Sequence, residues 1–208
     1  FPNTSMKIRE SLPIPFYEFE CDTTLIDQAY SEVSQLDFQD CMALNYYNQD
    51  LISWFESCVG QVQDIYFHDG IDLTINECWA TKVKRMQHLD FHFHMNSILS
   101  GVLYLSDGVA GKTRFRIPNP YYSAEHAHVM TLSKSSKEDS FFNIWAQAIQ
   151  FDIQPKKGTL IIFPSSIEHK TMTHTENFVR HSISFNTFPS GIISGDRTKQ
   201  LNIKTIKN

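Results

Sequence analysis

The sequence predicts a mainly β protein, a jelly-roll or barrel-like β-sandwich backed by N-terminal α-helices. Three observations carry that expectation. Apolar residues recur with helical spacing in two stretches before residue 66. Beyond them, β-branched and aromatic residues gather in short segments separated by Gly, Pro, Asn and Ser clusters. Finally, 208 residues, 41% of them hydrophobic, suffice for one sizeable core, which predicts a single domain over 1–208.

The first helical stretch places Leu25, Ile26, Ala29, Tyr30, Val33 and Leu36 on one stripe, with Asp22 to Thr24 as N-cap candidates. In the second, Asp50 can cap a run whose stripe is Leu51, Ile52, Trp54, Phe55, Cys58, Val59, Val62 and Ile65. Together they form a helical support over about 22–66. Strands are expected near 75–84, 90–95, 98–106, 112–117, 127–132, 147–153, 159–163 and 179–187. This makes a β core of about 75–187. The polar stretch 133–140 reads as a mobile loop and 192–208 as a surface tail.

Composition narrows the function. With 18 Lys and Arg against 23 Asp and Glu and no basic stripe, nucleic acid is not the expected partner. No apolar run approaches the roughly twenty residues that span a bilayer, so no membrane partner is expected and the location is read as cytoplasmic. Cys21, Cys41, Cys58 and Cys78 form no CxxC pair, which excludes a zinc knuckle; buried free thiols are expected in preference to disulfides.

Histidine is where the chain is unusual. In Gln87-His88-Leu89-Asp90-Phe91-His92-Phe93-His94 the side chains alternate with period two, so a strand would put His88, Asp90, His92 and His94 on one face. Such a face is either the exposed side of an edge strand or a metal site, since burying it otherwise is costly. The run Gly158 to Phe163 reads as a buried strand that enters a Pro164-Ser165-Ser166 turn and then presents His169, well placed to complete a site begun elsewhere. Eleven residues on, Arg180, Ser182 and Ser184 share a strand face, where a guanidinium and a hydroxyl can grip a carboxylate at two points.

These residues resemble the 2-oxoglutarate and Fe(II)-dependent oxygenase superfamily, closest to the small 2OG-Fe(II) oxygenases of bacterial and phage genomes. The matching pattern is Trp79-Ala80, thirteen residues to His92-Phe93-His94-Met95-Asn96-Ser97, then Gly101 through Tyr104-Leu105. It continues with Gly158 to Ser165, His169, and Arg180-His181-Ser182-Ile183-Ser184-Phe185-Asn186. Ile14-Pro15-Phe16-Tyr17 is similar to the family's opening strand. The resemblance implies a double-stranded β-helix in which His92, His94 and His169 hold Fe(II), while Arg180 and Ser182, with Tyr104 as a third contact, bind 2-oxoglutarate. It further implies a hydroxylase that couples O₂-driven decarboxylation of 2-oxoglutarate to succinate with oxidation of a prime substrate. That substrate is unspecified: a small metabolite, or a side chain of a peptide or protein. The site would lie in the cytoplasm, that of the host for a phage-encoded chain.

One position departs from the wider superfamily, where an Asp or Glu follows the first ligand by two residues; here His94 takes that place. Three neutral imidazoles leave a divalent ion its full charge and admit softer competitors. The register His88 with Asp90 restores the usual pair, and Asp90 could instead orient an imidazole from outside the ligand set. Of the other histidines, His126 and His128 read as loop or strand-surface residues, His68 as a turn residue, and His174 as too close to Arg180 in sequence to be the ligand. His181 should point away from Arg180. Trp54 and Trp145 read as packing residues, and 121–142 as the segment that selects the substrate. Two rivals stand beside the oxygenase: a cupin-type metal enzyme without 2-oxoglutarate, and a non-catalytic binding barrel.

Overall fold

Two helices lie in the N-terminal third of the chain. In the computed structural model, which describes residues 7–9, 15–39, 41–66, 71–117, 149–193 and 201–203, α1 spans Thr23–Gln35 and α2 spans Gln49–Tyr66. Asp22 caps α1, its side chain accepting from the Thr24 amide at 2.8 Å, and Ile26, Ala29 and Val33 form the buried stripe. The cap of α2 is not Asp50 but Asn48, whose Oδ1 accepts from the Leu51 amide at 3.0 Å. Asp50 lies inside the first turn, where a carboxylate complements the helix dipole. Leu51, Phe55, Cys58 and Val62 are fully buried, and Trp54 packs with them as expected; Ile65, at the end of the predicted stripe, is exposed.

Among the described residues the strands are β1 (Lys7–Arg9), β2 (Phe16–Glu20), β3 (Ala43–Asn45), β4 (Ile71–Val83), β5 (Leu89–His92), β6 (Leu99–Tyr104) and β7 (Thr113–Ile117). They continue with β8 (Ile149–Ile153), β9 (Thr159–Pro164), β10 (Glu168–Thr171), β11 (Arg180–Ile193) and β12 (Leu201–Ile203). The larger sheet runs β1-β2-β9-β6-β11-β4-β3 with β12 on β11, and the smaller runs β5-β10-β7-β8. Every pairing is antiparallel. The chain is thus mainly β, a double-stranded β-helix backed by helices.

Alternation along the central strands divides the interior into two cores. Leu103, Leu160, Ile162, Ile183 and Phe185 pack under α1 and α2. Val102, Tyr104, Ile161 and Phe163 point the other way and meet Phe115, Ile153 and Phe16 between the sheets. On β11 the residues facing this inner space are polar: Arg180, Ser182 and Ser184 line one cleft, with Asn186 next in the same register. Gly101 keeps the helix side of β6 open, because a Cβ there would lie 2.3 Å from the Phe185 ring, itself 4.6 Å from the Phe55 ring.

Several expectations need correction. The strand expected at 90–95 ends at His92, and His94 follows in an irregular segment. His169 follows the expected turn, closed by the Ile167 amide on the Pro164 carbonyl, but lies on a strand of its own, β10, which the sequence reading lacked. Within the predicted tail, β12 pairs with the end of β11. β1 and β3 were not anticipated. Of the cysteines only Cys58 is buried; Cys21 and Cys78 are half-buried and Cys41 is exposed, all four unpaired. Burial pushes the Cys21 and Cys78 thiols up to about 12, so neither is a nucleophile at neutral pH. The readings for His68, His126, His128, Trp145, 127–132, 133–140 and 121–142 lie outside the described residues. No helix among the described residues is long and apolar enough to cross a membrane.

Candidate active site

The cluster assembles where the two sheets meet. β5 carries His92 opposite His169 on β10, the two being direct antiparallel partners. His94 joins from beyond the end of β5, its amide donating to the Ser165 carbonyl at 3.0 Å. One ligand atom from each of the three imidazoles falls within 4.8 Å of the others, with His92 exposed, His94 half-buried and His169 buried. Ring centroids are 4.4 Å apart for His92 and His169, 5.0 Å for His94 and His169, and 5.3 Å for His92 and His94.

Each ring is oriented from its far side. His92 Nδ1 lies 2.8 Å from the Asp90 carbonyl, His169 Nδ1 3.0 Å from the Ile167 carbonyl, and His94 Nδ1 2.7 Å from Asn186 Oδ1. Those partners only accept, so all three Nδ1 atoms carry the proton and all three Nε2 atoms present a lone pair. His94 Nε2 and His169 Nε2 are 3.2 Å apart. Two lone pairs at that distance repel, whereas a shared cation with bonds of about 2.1 Å places neighbouring nitrogens about 3.0–3.4 Å apart. The donor set therefore fits a divalent metal ion, including Fe(II).

Burial favours the neutral form of His169 and His94. Burial drives His169 down from 6.5 to about 3, against the Ile167 hydrogen bond and with added repulsion from His92 and His94. His94 is also lowered, chiefly by burial, with the Asn186 hydrogen bond opposing. The sign for stability follows. The unfolded chain protonates His169 near 6.5 while the folded metal-free protein does not until about 3. Below about pH 6.5 the unfolded state therefore holds the extra proton, and stability falls with acid by up to about 1.4 kcal/mol per pH unit. Urea midpoints of the metal-free protein against pH, compared with His169→Leu, check this; the same profile in both would contradict it.

Asp90 does not join the cluster. Its side chain is 96% exposed, with Oδ1 3.6 Å from His88 Nε2, and its contribution is the main-chain carbonyl that holds His92. His174 is buried away from the triad, its Nε2 donating to the Phe178 carbonyl at 2.7 Å. His181 faces α1, 5.7 Å from the Tyr30 ring, on the opposite side of β11 from Arg180.

Arg180 is 2% exposed and, among the described residues, has no carboxylate partner. NH1 donates to Thr171 Oγ1 at 3.2 Å and NH2 to Thr113 Oγ1 at 3.4 Å, while Nε has no partner. The guanidinium sits 5.3 Å from the Tyr104 ring centroid, and the Tyr104 hydroxyl donates to Thr113 at 2.8 Å. Burial lowers the Arg180 pKa, with Tyr104 opposing. Gly111, at φ 67°, lets the loop pass close by, since a Cβ there would be 3.4 Å from Arg180 Cδ. Ser182 pairs in register with Tyr104 and lines the same cleft as the three histidines, Thr113, Thr171 and Arg180. Thr113 and Thr171 were missed in the sequence; Thr171 stands two residues after His169 on one strand face, which was the available signal.

Residues 77–186 match the family model described as "Putative 2OG-Fe(II) oxygenase". The chain belongs to the 2OG-Fe(II) oxygenase family, whose cofactor is Fe(II) and whose cosubstrate is 2-oxoglutarate. Solved structures agree in fold. A Pseudomonas putida prolyl-4-hydroxylase is 14% identical at a TM-score of 0.56, covering 85% of this chain and 86% of that one. HygX from Streptomyces hygroscopicus, with nickel, 2-oxoglutarate and hygromycin B bound, is 13% identical at 0.55, covering 84% and 82%. The viral collagen prolyl hydroxylase of Paramecium Bursaria Chlorella virus-1, as its 2OG complex, is 10% identical at 0.54, covering 83% and 94%. No curated protein matched the chain.

Proposed function

We propose that this chain is a single-domain, cytoplasmic 2-oxoglutarate-dependent hydroxylase in which His92, His94 and His169 hold Fe(II) and Arg180 binds the cosubstrate. The observation that carries the reading is the pairing of two features in one cleft: three convergent Nε2 lone pairs, and a buried guanidinium with no carboxylate partner among the described residues. A buried unpaired charge is costly, and a dicarboxylate that reaches from the histidines to Arg180 supplies the missing counterion. Ser182 adds a hydroxyl on the same strand face. Tyr104 bounds the cleft beneath the guanidinium, with its own proton committed to Thr113.

Bound Fe(II) would supply O₂ activation and the decarboxylation of 2-oxoglutarate to succinate, coupled to oxidation of the prime substrate. The chain contributes the rest. The three Nδ1 hydrogen bonds keep the imidazoles in the ligating tautomer, Phe115 and Phe163 flank His169 and keep water from it, and exposed His92 marks the side from which a substrate enters. A small metabolite or a peptide side chain is the substrate class. The test is succinate formation by purified protein with Fe(II), 2-oxoglutarate and O₂, first alone and then with candidate substrates. The expected result is slow uncoupled turnover absent from His169→Ala. Failure of both Fe(II) and 2-oxoglutarate to bind, measured by calorimetry, overturns the proposal; metal binding without 2-oxoglutarate binding favours a cupin-type enzyme.

A further inference from the structure

We infer that Glu77, acting through Asn186, is a positioning residue that fixes the tautomer of His94 and lends it negative charge in place of the carboxylate that position lacks. The inference rests on the three-histidine reading above. His92 and His169 are held by main-chain carbonyls two residues before them, acceptors whose identity no side-chain substitution at those positions changes. His94 alone is held by a side chain, the 4% exposed Asn186. An asparagine can present either end, so something must choose which.

Glu77 makes that choice. Asn186 Nδ2 donates to Glu77 Oε2 at 2.8 Å, and the two residues are direct partners across β11 and β4. A carboxylate only accepts, so the amide end of Asn186 must face it and Oδ1 must face His94. Oδ1 also accepts from the Ser100 hydroxyl at 2.8 Å, a second contact that favours the same orientation. Nδ1 of His94 then has to be the protonated nitrogen, which leaves Nε2 for the cluster. A neutral amide in the middle of the chain passes on part of the carboxylate's charge through polarised hydrogen bonds, raising the basicity of the imidazole. Trp79, two residues after Glu77 on β4, stacks on His94 with centroids 5.5 Å apart and planes 25° apart, so the ring cannot turn to find another acceptor.

The test uses Glu77→Ala and Glu77→Gln in the full chain, with two readouts. In the metal-free protein, ¹⁵N-histidine NMR reports the tautomer of His94. In the metal-bound protein, Co(II) titration followed by visible absorption reports affinity and ligand field. The parent is expected to show His94 protonated at Nδ1. Glu77→Ala should give mixed tautomers, shifted Co(II) bands and about tenfold weaker Co(II) binding, within the range for partners behind a metal ligand. Glu77→Gln keeps an acceptor, which with the Ser100 contact can hold Asn186 as before, but no charge; it should restore the tautomer while leaving Co(II) affinity between that of Glu77→Ala and the parent, a split that a role confined to strand stability would not produce. If Co(II) binds the parent but Glu77→Ala changes neither tautomer nor affinity, the inference fails and the triad stands. If the parent binds no Co(II), the triad reading fails and the inference goes with it.

Discussion

Arg180→Ala is expected to raise the dissociation constant of 2-oxoglutarate about thirtyfold or more, the consequence of losing a charge-assisted grip worth about 2–5 kcal/mol. The structure makes the experiment sharper than a simple loss. In the ligand-free protein Arg180 is a buried cation that meets two threonine hydroxyls and Tyr104, and among the described residues its Nε has no partner. Replacing an uncompensated buried charge with an apolar side chain of similar length is neutral or stabilising. Arg180→Met should therefore lose 2-oxoglutarate affinity to the same degree while its urea midpoint without ligand stays level or rises. A residue kept for folding would show the opposite pattern. Calorimetry for binding and chemical denaturation for stability check the two halves separately; undiminished 2-oxoglutarate affinity in both variants would remove the main support for the proposed cosubstrate site.

His169→Ala carries the largest expected effect on metal affinity, a loss of about a hundredfold or more. His169 is the buried member of the cluster and the nearer neighbour of each of the other two, so its removal leaves His92 and His94 without the ligand that closes the site. Partners behind a ligand already cost tenfold to a hundredfold when removed, and a ligand itself should cost no less. His92→Ala and His94→Ala should follow it, whereas His88→Ala and Asp90→Ala should bind Co(II) as the parent does, because those side chains are exposed and point out of the cluster. Normal binding by His92→Ala and His94→Ala, with loss in His88→Ala and Asp90→Ala, would shift the site by four residues along the chain.

Much of this was legible in the amino-acid sequence, and the parts that were not share a cause. The unbroken apolar run at 159–163 identified a buried strand, and alternation in 180–186 identified another, because period two reads directly as two faces. It also placed Arg180 and Ser182 together. The same logic overreached at 88–94, where the polar and apolar alternation continues past the point at which β5 stops. The irregular segment still brings His94 to its neighbours, helped by Asn96 in a left-handed conformation at φ 59°. The cap of α2 was misassigned because Asn48 and Asp50 are equally good capping types, and only the backbone shows which one precedes the first turn. Glu77 was beyond reach for a different reason. Its partner lies 109 residues away, and only the register of β4 against β11 puts them side by side.

Among the described residues β5 is an edge strand, four residues long and tied to β10 by two register pairs with an irregularity between them. Such a strand is the first part of a sheet to fray, and amide exchange there reports local opening and not global unfolding. In the proposed holo form one of its residues, His92, is joined to its neighbour through the ion shared with His169. The metal then acts as a clasp at the margin of the small sheet, closing the place where backbone pairing is thinnest. Loading the site would raise protection along Leu89 to His92 more than in the long central strands, and would hide an open edge from other chains.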